Sequence, residues 1–360
     1  MGRVHVLAVL VVPAVMLIWA GCGGKQPEKP ATLGFLMETY DLDRWKRDEG
    51  YFTEQAKSLG FTVLRTVADG DQDRQNRQAD ALLTQGVKAL VVVPKNLNTA
   101  GRIVASAHEK SVPVLAYDRL IRDCDLDMYI TFDNERVGYL QASGLLAGVP
   151  EGNYILLGGA ASDNNAKLLR EGQLRAIADH ERATGKKIVI LADPFLDDWD
   201  REEARRKTGN LLTRFSAAGT KVHAIIASND ATAGGVVAAL QAENLAGKVA
   251  VSGQDAELQA CQRIVEGTQT VTVYKPVRLL AEVAARAAAR LAAGEKPADI
   301  IAALGYPVRY LENGSRKVPS IFLEPVFVTK ENMEGTVIAD GWHPRERVYG
   351  ASPSGGSAQP

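Results

Sequence analysis

From Thr32 onward, short apolar runs alternate with longer stretches whose apolar residues recur at helical spacing. That alternation is the signature of βα units laid on a parallel sheet. Residues 32–37 predict a first strand. Trp45, Phe52, Ala56 and Leu59 mark the buried stripe of the helix after it, which Gly60 ends. Residues 61–67 predict the second strand, and Ala79, Leu82 and Leu83 the helix that follows. Residues 89–93 are apolar at every position, as a strand covered on both faces must be. A fourth strand, 112–116, leads into Tyr117, Asp118 and Arg119.

A second series then repeats the first. After a strand at 128–132 a helix starts near Asn134, and further strands fit 154–157, 188–191, 222–227 and 249–251. Helices fit 167–183, 201–217 and 231–245 between them. The repetition predicts an α/β fold of two doubly wound parallel-sheet lobes. An Ala-rich helix at 279–293 follows Lys275 and Pro276, and periodicity alone assigns it to neither lobe. The last stretch, 349–360, is poor in apolar residues and is expected to be disordered.

The length of 360 residues suits two lobes better than one core. A formal net charge of −1, with no Lys/Arg block, gives no footprint for a nucleic acid. The chain opens with Arg3, an apolar run over 6–20 and then Gly21 and Cys22. This ending is what lipoprotein signal peptidase reads, so residues 1–22 are expected to be a lipoprotein signal peptide with Cys22 lipidated, and 23–31 a flexible tether. Trp19 stands where a smaller aliphatic residue is usual, and a plain secretory signal or an uncleaved anchor is the alternative. Two acyl chains would suffice to hold an exported protein at a membrane face. Cys124 and Cys261 make no disulfide framework, and the scattered histidines offer no metal spacing, so no cofactor or metal is expected.

In open α/β sheets, ligands sit beyond the carboxyl ends of the strands. Polar side chains cluster at those places in both series. Arg44 follows the first strand, and Asp118 and Arg119 follow the fourth. Asn164, Asn165 and Lys167 follow the Gly158-Gly159 turn, and Trp199 follows the strand at 188–191. Asn229 and Asp230 follow 222–227, Asp255 follows 249–251, and Lys275 follows 270–273. Each has a plainer reading alone: Arg44 as a solvated first-turn helix residue, Asp118 with Arg119 as a loop ion pair, Asp163 or Asn164, Asn229 or Asp230, and Asp255 as helix caps, Trp199 as a surface lid and Lys275 as plain loop. Together they make a mixture of carboxylates, amides, cations and a flat indole. That mixture suits a carbohydrate, whose hydroxyls each donate and accept and whose ring C–H face lies against an aromatic. No GxGxxG, phosphate loop or GxSxG elbow is present, so an oxidoreductase or kinase has no foothold and no enzyme is expected.

At these residues the sequence resembles the D-xylose-binding proteins of bacterial ABC sugar importers, within the type I periplasmic-binding fold. The matching blocks are 42–45 (Leu-Asp-Arg-Trp), 114–119 (Val-Leu-Ala-Tyr-Asp-Arg), 130–135 (Ile-Thr-Phe-Asp-Asn-Glu), 163–167 (Asp-Asn-Asn-Ala-Lys), 227–235 (Ala-Ser-Asn-Asp-Ala-Thr-Ala-Gly-Gly), 252–255 (Ser-Gly-Gln-Asp) and 267–276, which ends in Thr-Val-Tyr-Lys-Pro. The resemblance implies Arg44, Asp118, Arg119, Asn165, Trp199, Asn229, Asp255 and Lys275 as sugar contacts. It implies an amino-terminal lobe of 32–133 plus 276–325, a carboxy-terminal lobe of 134–275 plus 326–348, and a three-strand hinge that closes on the sugar. The segment 305–317 looks longer than its family counterpart. The implied partners are a monosaccharide, most specifically D-xylose, and the importer's permease subunits, for a protein that is exported, lipid-anchored and monomeric. A sugar-sensing subunit that serves a chemoreceptor or histidine kinase would carry the same site. A repressor of this fold would need an amino-terminal helix-turn-helix where this chain has its signal segment.

Overall fold

The leading apolar run becomes strand β1 (Thr32–Met37), and its alternation sets two packing faces at once. Leu33, Phe35 and Met37 face one way and Leu36 the other, and all are buried. The computed structural model describes residues 30–350 together with Met1 and Gly2, so the signal segment with Trp19 and Cys22, the tether to residue 29, and 351–360 lie outside the described residues. After β1 come α1 (Asp43–Ser58), β2 (Thr62–Val67), α2 (Gln72–Thr84), β3 (Ala89–Val92), α3 (Gly101–Glu109), β4 (Val114–Tyr117) and β5 (Met128–Phe132). The second series runs α4 (Asn134–Gly148), β6 (Gly152–Ala160), α5 (Asn164–Thr184), β7 (Ile188–Ala192), β8 (Phe195–Leu196), α6 (Arg201–Ala217), β9 (Ala224–Ala227), α7 (Asp230–Ala242), β10 (Ala250–Val251), α8 (Leu258–Glu266) and β11 (Thr272–Tyr274). The chain closes with α9 (Val277–Ala292), α10 (Pro297–Ala303), β12 (Arg309–Glu312), β13 (Lys317–Leu323), β14 (Val326–Val328), a π-helical turn at Glu334–Ile338 and α11 (Arg345–Tyr349).

A seven-stranded sheet has the order β12-β13-β5-β4-β3-β1-β2, and a second sheet has the order β10-β9-β6-β7, with β8 paired to the far half of β6. All pairs in them are parallel except the edge pair β12–β13. Parallel pairing puts the strands' carboxyl ends along one edge of each sheet, where ligands collect in such folds. The strands β11 and β14 pair antiparallel with each other alone.

The Ala-rich helix that periodicity left unassigned packs on the first sheet. In α9, Leu280, Ala284 and Leu291 bury against Leu33, Phe35 and Phe52, opposite α2 and α3 on the other face. Two elements differ from the sequence expectation for clear reasons. Strand β6 runs to Ala160 because its glycine-rich end pairs with β8, which is too short to show a period. The segment 305–317 builds a hairpin, with β12 added to the sheet edge and the turn held by Asn313, whose amide donates to the carbonyls of Ile121 at 3.2 Å and Cys124 at 2.9 Å. Cys124 and Cys261 are free thiols, and burial pushes the Cys124 thiol up to about 11 and Cys261 higher still, so both are packing residues. Among the described residues no helix is long and apolar enough to cross a membrane.

The second lobe depends on one close helix crossing. Where α4 meets α5, a Cβ at Gly138 would lie 1.9 Å from the Leu169 carbonyl oxygen, and one at Gly172 1.9 Å from that of Glu135. Backbone stands against backbone there, so nothing can yield. Gly138→Ala or Gly172→Ala is therefore expected to lower stability by about 3 kcal/mol or more in urea unfolding, above the usual range for overpacking. Gly50→Ala, in a helix and with nothing within 4 Å of the added carbon, is expected to raise it by about 0.5–1 kcal/mol. Equal effects at these sites would refute the crossing as the constraint.

Candidate functional site

The eight strand-end side chains that the resemblance implies as sugar contacts reach the same place. Arg44, Asp118, Arg119, Asn165, Trp199, Asn229, Asp255 and Lys275 line one small cavity, together with Leu42, Trp45, Asp163 and Gln254. Arg44 and Trp45 come from the first turn of α1, Asp118 and Arg119 from the end of β4, and Asn165 from the first turn of α5. The remainder follow β8, β9, β10 and β11. Asn164 and Lys167 do not join them; Lys167 is exposed. Asp230 turns away and accepts from Gln269 Nε2 and Thr272 Oγ1, each at 2.8 Å.

Arg44 is the centre of the charges. Its guanidinium lies 3.1 Å from Asp48 on its own helix, 3.0 Å from Asp118 and 3.5 Å from Asp255, and only 4% of its side chain is exposed. Burial works against its charge, but Asp118, Asp48 and Asp255 more than offset this and raise its pKa above the ordinary guanidinium value. Burial likewise pushes Asp118 upward, yet Arg44, Lys275 and Arg119 outweigh it and hold that carboxyl below its usual range. For Asp48, Asp163 and Glu38 burial prevails and the pKa is raised. Arg119 spans the lobes, 2.9 Å from Glu38 and 3.0 Å from Asp163, and Lys275 lies 3.4 Å from Asp255. At the cleft mouth Lys95 meets Asp198 at 2.5 Å.

Local folding explains the geometry. Asp118 has φ 62° and Asp255 φ 93°, left-handed values that non-glycine residues hold only under constraint. The Asp118 carbonyl accepts from Tyr129 and Thr131 hydroxyls at 2.8 Å each and from Asn165 Nδ2 at 3.0 Å, which fixes the turn. The capping readings hold in part: Asn229 Oδ1 caps α7 through the Thr232 N–H at 2.9 Å, which leaves its amide nitrogen for the cavity. Asp163 caps α5 with one oxygen and binds Arg119 and the Trp199 indole N–H with the other. The Trp199 ring lies against Gly159, where a Cβ would come within 2.1 Å of it. Behind the loops, Gln141 Nε2 donates to the carbonyls of Ser228 at 2.9 Å and Gly253 at 3.1 Å.

Sequence reasoning missed Trp45, which it gave to the helix's core stripe, and passed over Gln254 inside a block it did single out. Two polar atoms on these walls are buried without a hydrogen-bond partner, Trp45 Nε1 and Gln254 Oε1, while Asp118 Oδ2 and Asp255 Oδ1 are held only by their ion pairs with Arg44 and Lys275. Buried polar atoms rarely stay so, and here a donor and an acceptor, one from each half of the site, lie on the lining of the same cavity. Among the described residues no cluster of His, Cys, Asp and Glu is arranged to hold a metal.

Residues 33–296 match the model of the periplasmic binding protein domain. The chain belongs to the periplasmic binding protein family. Its fold is the α/β fold of the family's type I, and the family's members are substrate-binding proteins of transporters, not enzymes. The chain is 44% identical over 316 residues, 88% of its length and 92% of the relative's, to the D-xylose-binding periplasmic protein of Escherichia coli strain K12. It is 43% identical over 321 residues, 89% of its length and 93% of the relative's, to the protein of the same name from Haemophilus influenzae. Among solved structures, a carbohydrate transporter solute binding protein of Chloroflexus aurantiacus in complex with D-glucose superposes with a TM-score of 0.78 at 31% identity, covering 88% of this chain and 97% of that one.

Asp230, beside the family's cleft but outside it, gives a pH prediction. Burial pushes its carboxyl up to about 7 against the pull of Arg263, Gln269 and Thr272. The native state therefore holds this proton more tightly than the unfolded chain. The stability it contributes is full below about pH 4 and is lost as pH rises through 7, by roughly 4 kcal/mol. Urea unfolding from pH 4.5 to 7.5 is expected to show this falling contribution, and Asp230→Asn to remove it. An unchanged slope in the variant would exclude Asp230 as its source.

Proposed function

We propose that this chain is the sugar-binding component of an ABC-type importer and that its ligand is D-xylose. The observation that carries the reading is the meeting of strand-end residues from both sheets in one cavity, with hydroxyl-seeking atoms on opposing walls. Charge-assisted hydrogen bonds that a sugar hydroxyl accepts from Arg119 or Lys275, or donates to Asp118 or Asp255, would each contribute about 1.5–3 kcal/mol. Trp199 and Trp45 would supply the apolar faces for the ring. Two relatives that match about nine-tenths of the chain carry D-xylose in their names, which favours this pentose over the hexose of the Chloroflexus structure.

Binding works by hinge closure. One lobe is 32–133 with 276–325, the other 134–275 with 326–348, and the sugar shifts the population to the closed form because it touches both. The closed monomer then docks on the importer's permease subunits, and a separate ATPase supplies the energy. The protein acts outside the cytoplasmic membrane, tethered through a diacylated Cys22.

Titration calorimetry across pentoses and hexoses is expected to give one-to-one binding with D-xylose preferred. A preference for ribose, galactose or glucose would overturn the ligand, and silence across the panel would overturn the function. Asn165→Ala is expected to raise the Kd for xylose about 10- to 100-fold, since one buried amide is worth roughly 1.4–2.8 kcal/mol here. Cells that express the full chain are expected to incorporate labelled palmitate into it, and Cys22→Ser to abolish the label. Label that survives the substitution would place the lipid elsewhere.

A further inference from the structure

The turn that carries Asp255 is held from a distant part of the chain. Asp255 at φ 93° is followed by Ala256 at φ 50°, consecutive left-handed non-glycine residues. Such backbone persists only where its surroundings over-determine it. The Asp255 N–H donates to the Val273 carbonyl at 2.8 Å, and the Ala256 N–H to Thr272 Oγ1 at 3.3 Å. The Ala256 carbonyl is held by two buried donors from the carboxy-terminal segment, Trp342 Nε1 at 2.9 Å and His343 Nε2 at 2.8 Å. Without those donors the carbonyl is free to rotate, the turn relaxes toward ordinary φ, and the Asp255 carboxylate swings with it.

The same tryptophan touches the other lobe. The guanidinium of Arg47, on α1, stacks over the Trp342 ring at 4.1 Å, and its Nη1 donates to the Trp342 carbonyl at 2.6 Å. Arg47 lies one helical turn from Arg44, which faces Asp255 at 3.5 Å. Helix α1 thus meets Asp255 directly on one side and its anchor on the other. We propose that Trp342 and His343 are positioning residues for the Asp255 carboxylate, and that Arg47 couples that positioning to closure of the lobes. This rests on the sugar-binding reading, with Asp255 as a ligand contact. The donors act through the backbone and touch no ligand.

The test uses the mature chain and two readouts. The first needs no ligand: backbone amide exchange at residues 255–257 by NMR. Trp342→Phe keeps the ring against Arg47 but removes the N–H, and is expected to speed that exchange at least tenfold while distant amides stay unchanged. Unchanged exchange at 255–257 overturns the proposal whatever the protein binds. The second readout is calorimetry and stopped-flow with whichever sugar the panel selects. Trp342→Phe is expected to raise Kd about 5- to 10-fold, the weight of one buried hydrogen bond, mostly through faster release. In the double variant with Asp255→Asn, that loss is expected to vanish, because the group being positioned is no longer the carboxylate. Losses that multiply instead would make Trp342 an independent contributor and overturn its role. His343→Gln, which keeps an N–H donor, is expected to retain affinity that His343→Leu loses; equal losses would count against the donor role. Arg47→Met is expected to speed release and to reduce the compaction that sugar induces in X-ray scattering, with exchange at 255–257 near wild type in the sugar-free form. Compaction equal to wild type would remove Arg47 from the coupling. Silence of the wild type with every sugar would instead refute the binding reading and leave the exchange result to decide this one.

Discussion

A guanidinium cannot be buried alone, and the burial of Arg44 organises everything around it. The charge must be matched within a few ångströms, because the low dielectric of the interior makes an uncompensated ion far more costly than in water. Asp48 supplies the match from the same helix, Asp118 from the end of β4 and Asp255 from the other lobe. Only the first is local. The second requires β4 to deliver its last side chain to α1, and the third joins the first sheet to the loop after β10 on the second. The charge therefore links the register of the first sheet to the loop that follows β10 on the second.

That link also explains where strain collects. Asp118 and Asp255 both hold left-handed backbone, and both aim at Arg44. Ordinary extended φ would carry each carboxylate away along its strand direction. The turns are held by donors from elsewhere: Tyr129, Thr131 and Asn165 on the Asp118 carbonyl, and Trp342 with His343 on that of Ala256. Asn165 follows a strand of the second sheet and Asp118 one of the first, so part of what holds the first carboxylate comes from the other sheet. The complete site is therefore assembled from both sheets at once, and neither half holds its own charges in place alone.

What could be read from the sequence follows from which signals are local. β1 was legible to the residue because its alternation and flanking turns lie within a few positions, and α6 because its stripe is long. The strand-end residues were legible because a parallel sheet fixes which end faces the ligand before any coordinate is known. Trp45 was not, since a helix's core stripe and a first-turn residue that faces the cleft share one period. β8 has only Phe195 and Leu196 and shows no period at all; Gly159, which seats the Trp199 ring, reads as a plain turn residue. The anchoring of Ala256 by Trp342 joins positions 86 apart, and nothing in either neighbourhood marks the other. Long-range tertiary pairing is invisible to a reading built on spacing.

The balance of charge on the cavity walls bears on what kind of molecule can close it. Arg44, Arg119 and Lys275 face Asp118, Asp163 and Asp255, and the cations and carboxylates already satisfy one another across the cleft. An anionic or cationic ligand would upset that balance in a desolvated space and leave one side uncompensated. A neutral polyol does not, because each hydroxyl accepts from a cation while donating to a carboxylate, and so inserts between paired charges without separating them. Deoxygenation at such a position would leave both partners short of a bond, a larger loss than that of a single contact. The walls thus select by the number and placement of hydroxyls, and neutrality of the ligand is built in by the charge pairing across the cavity.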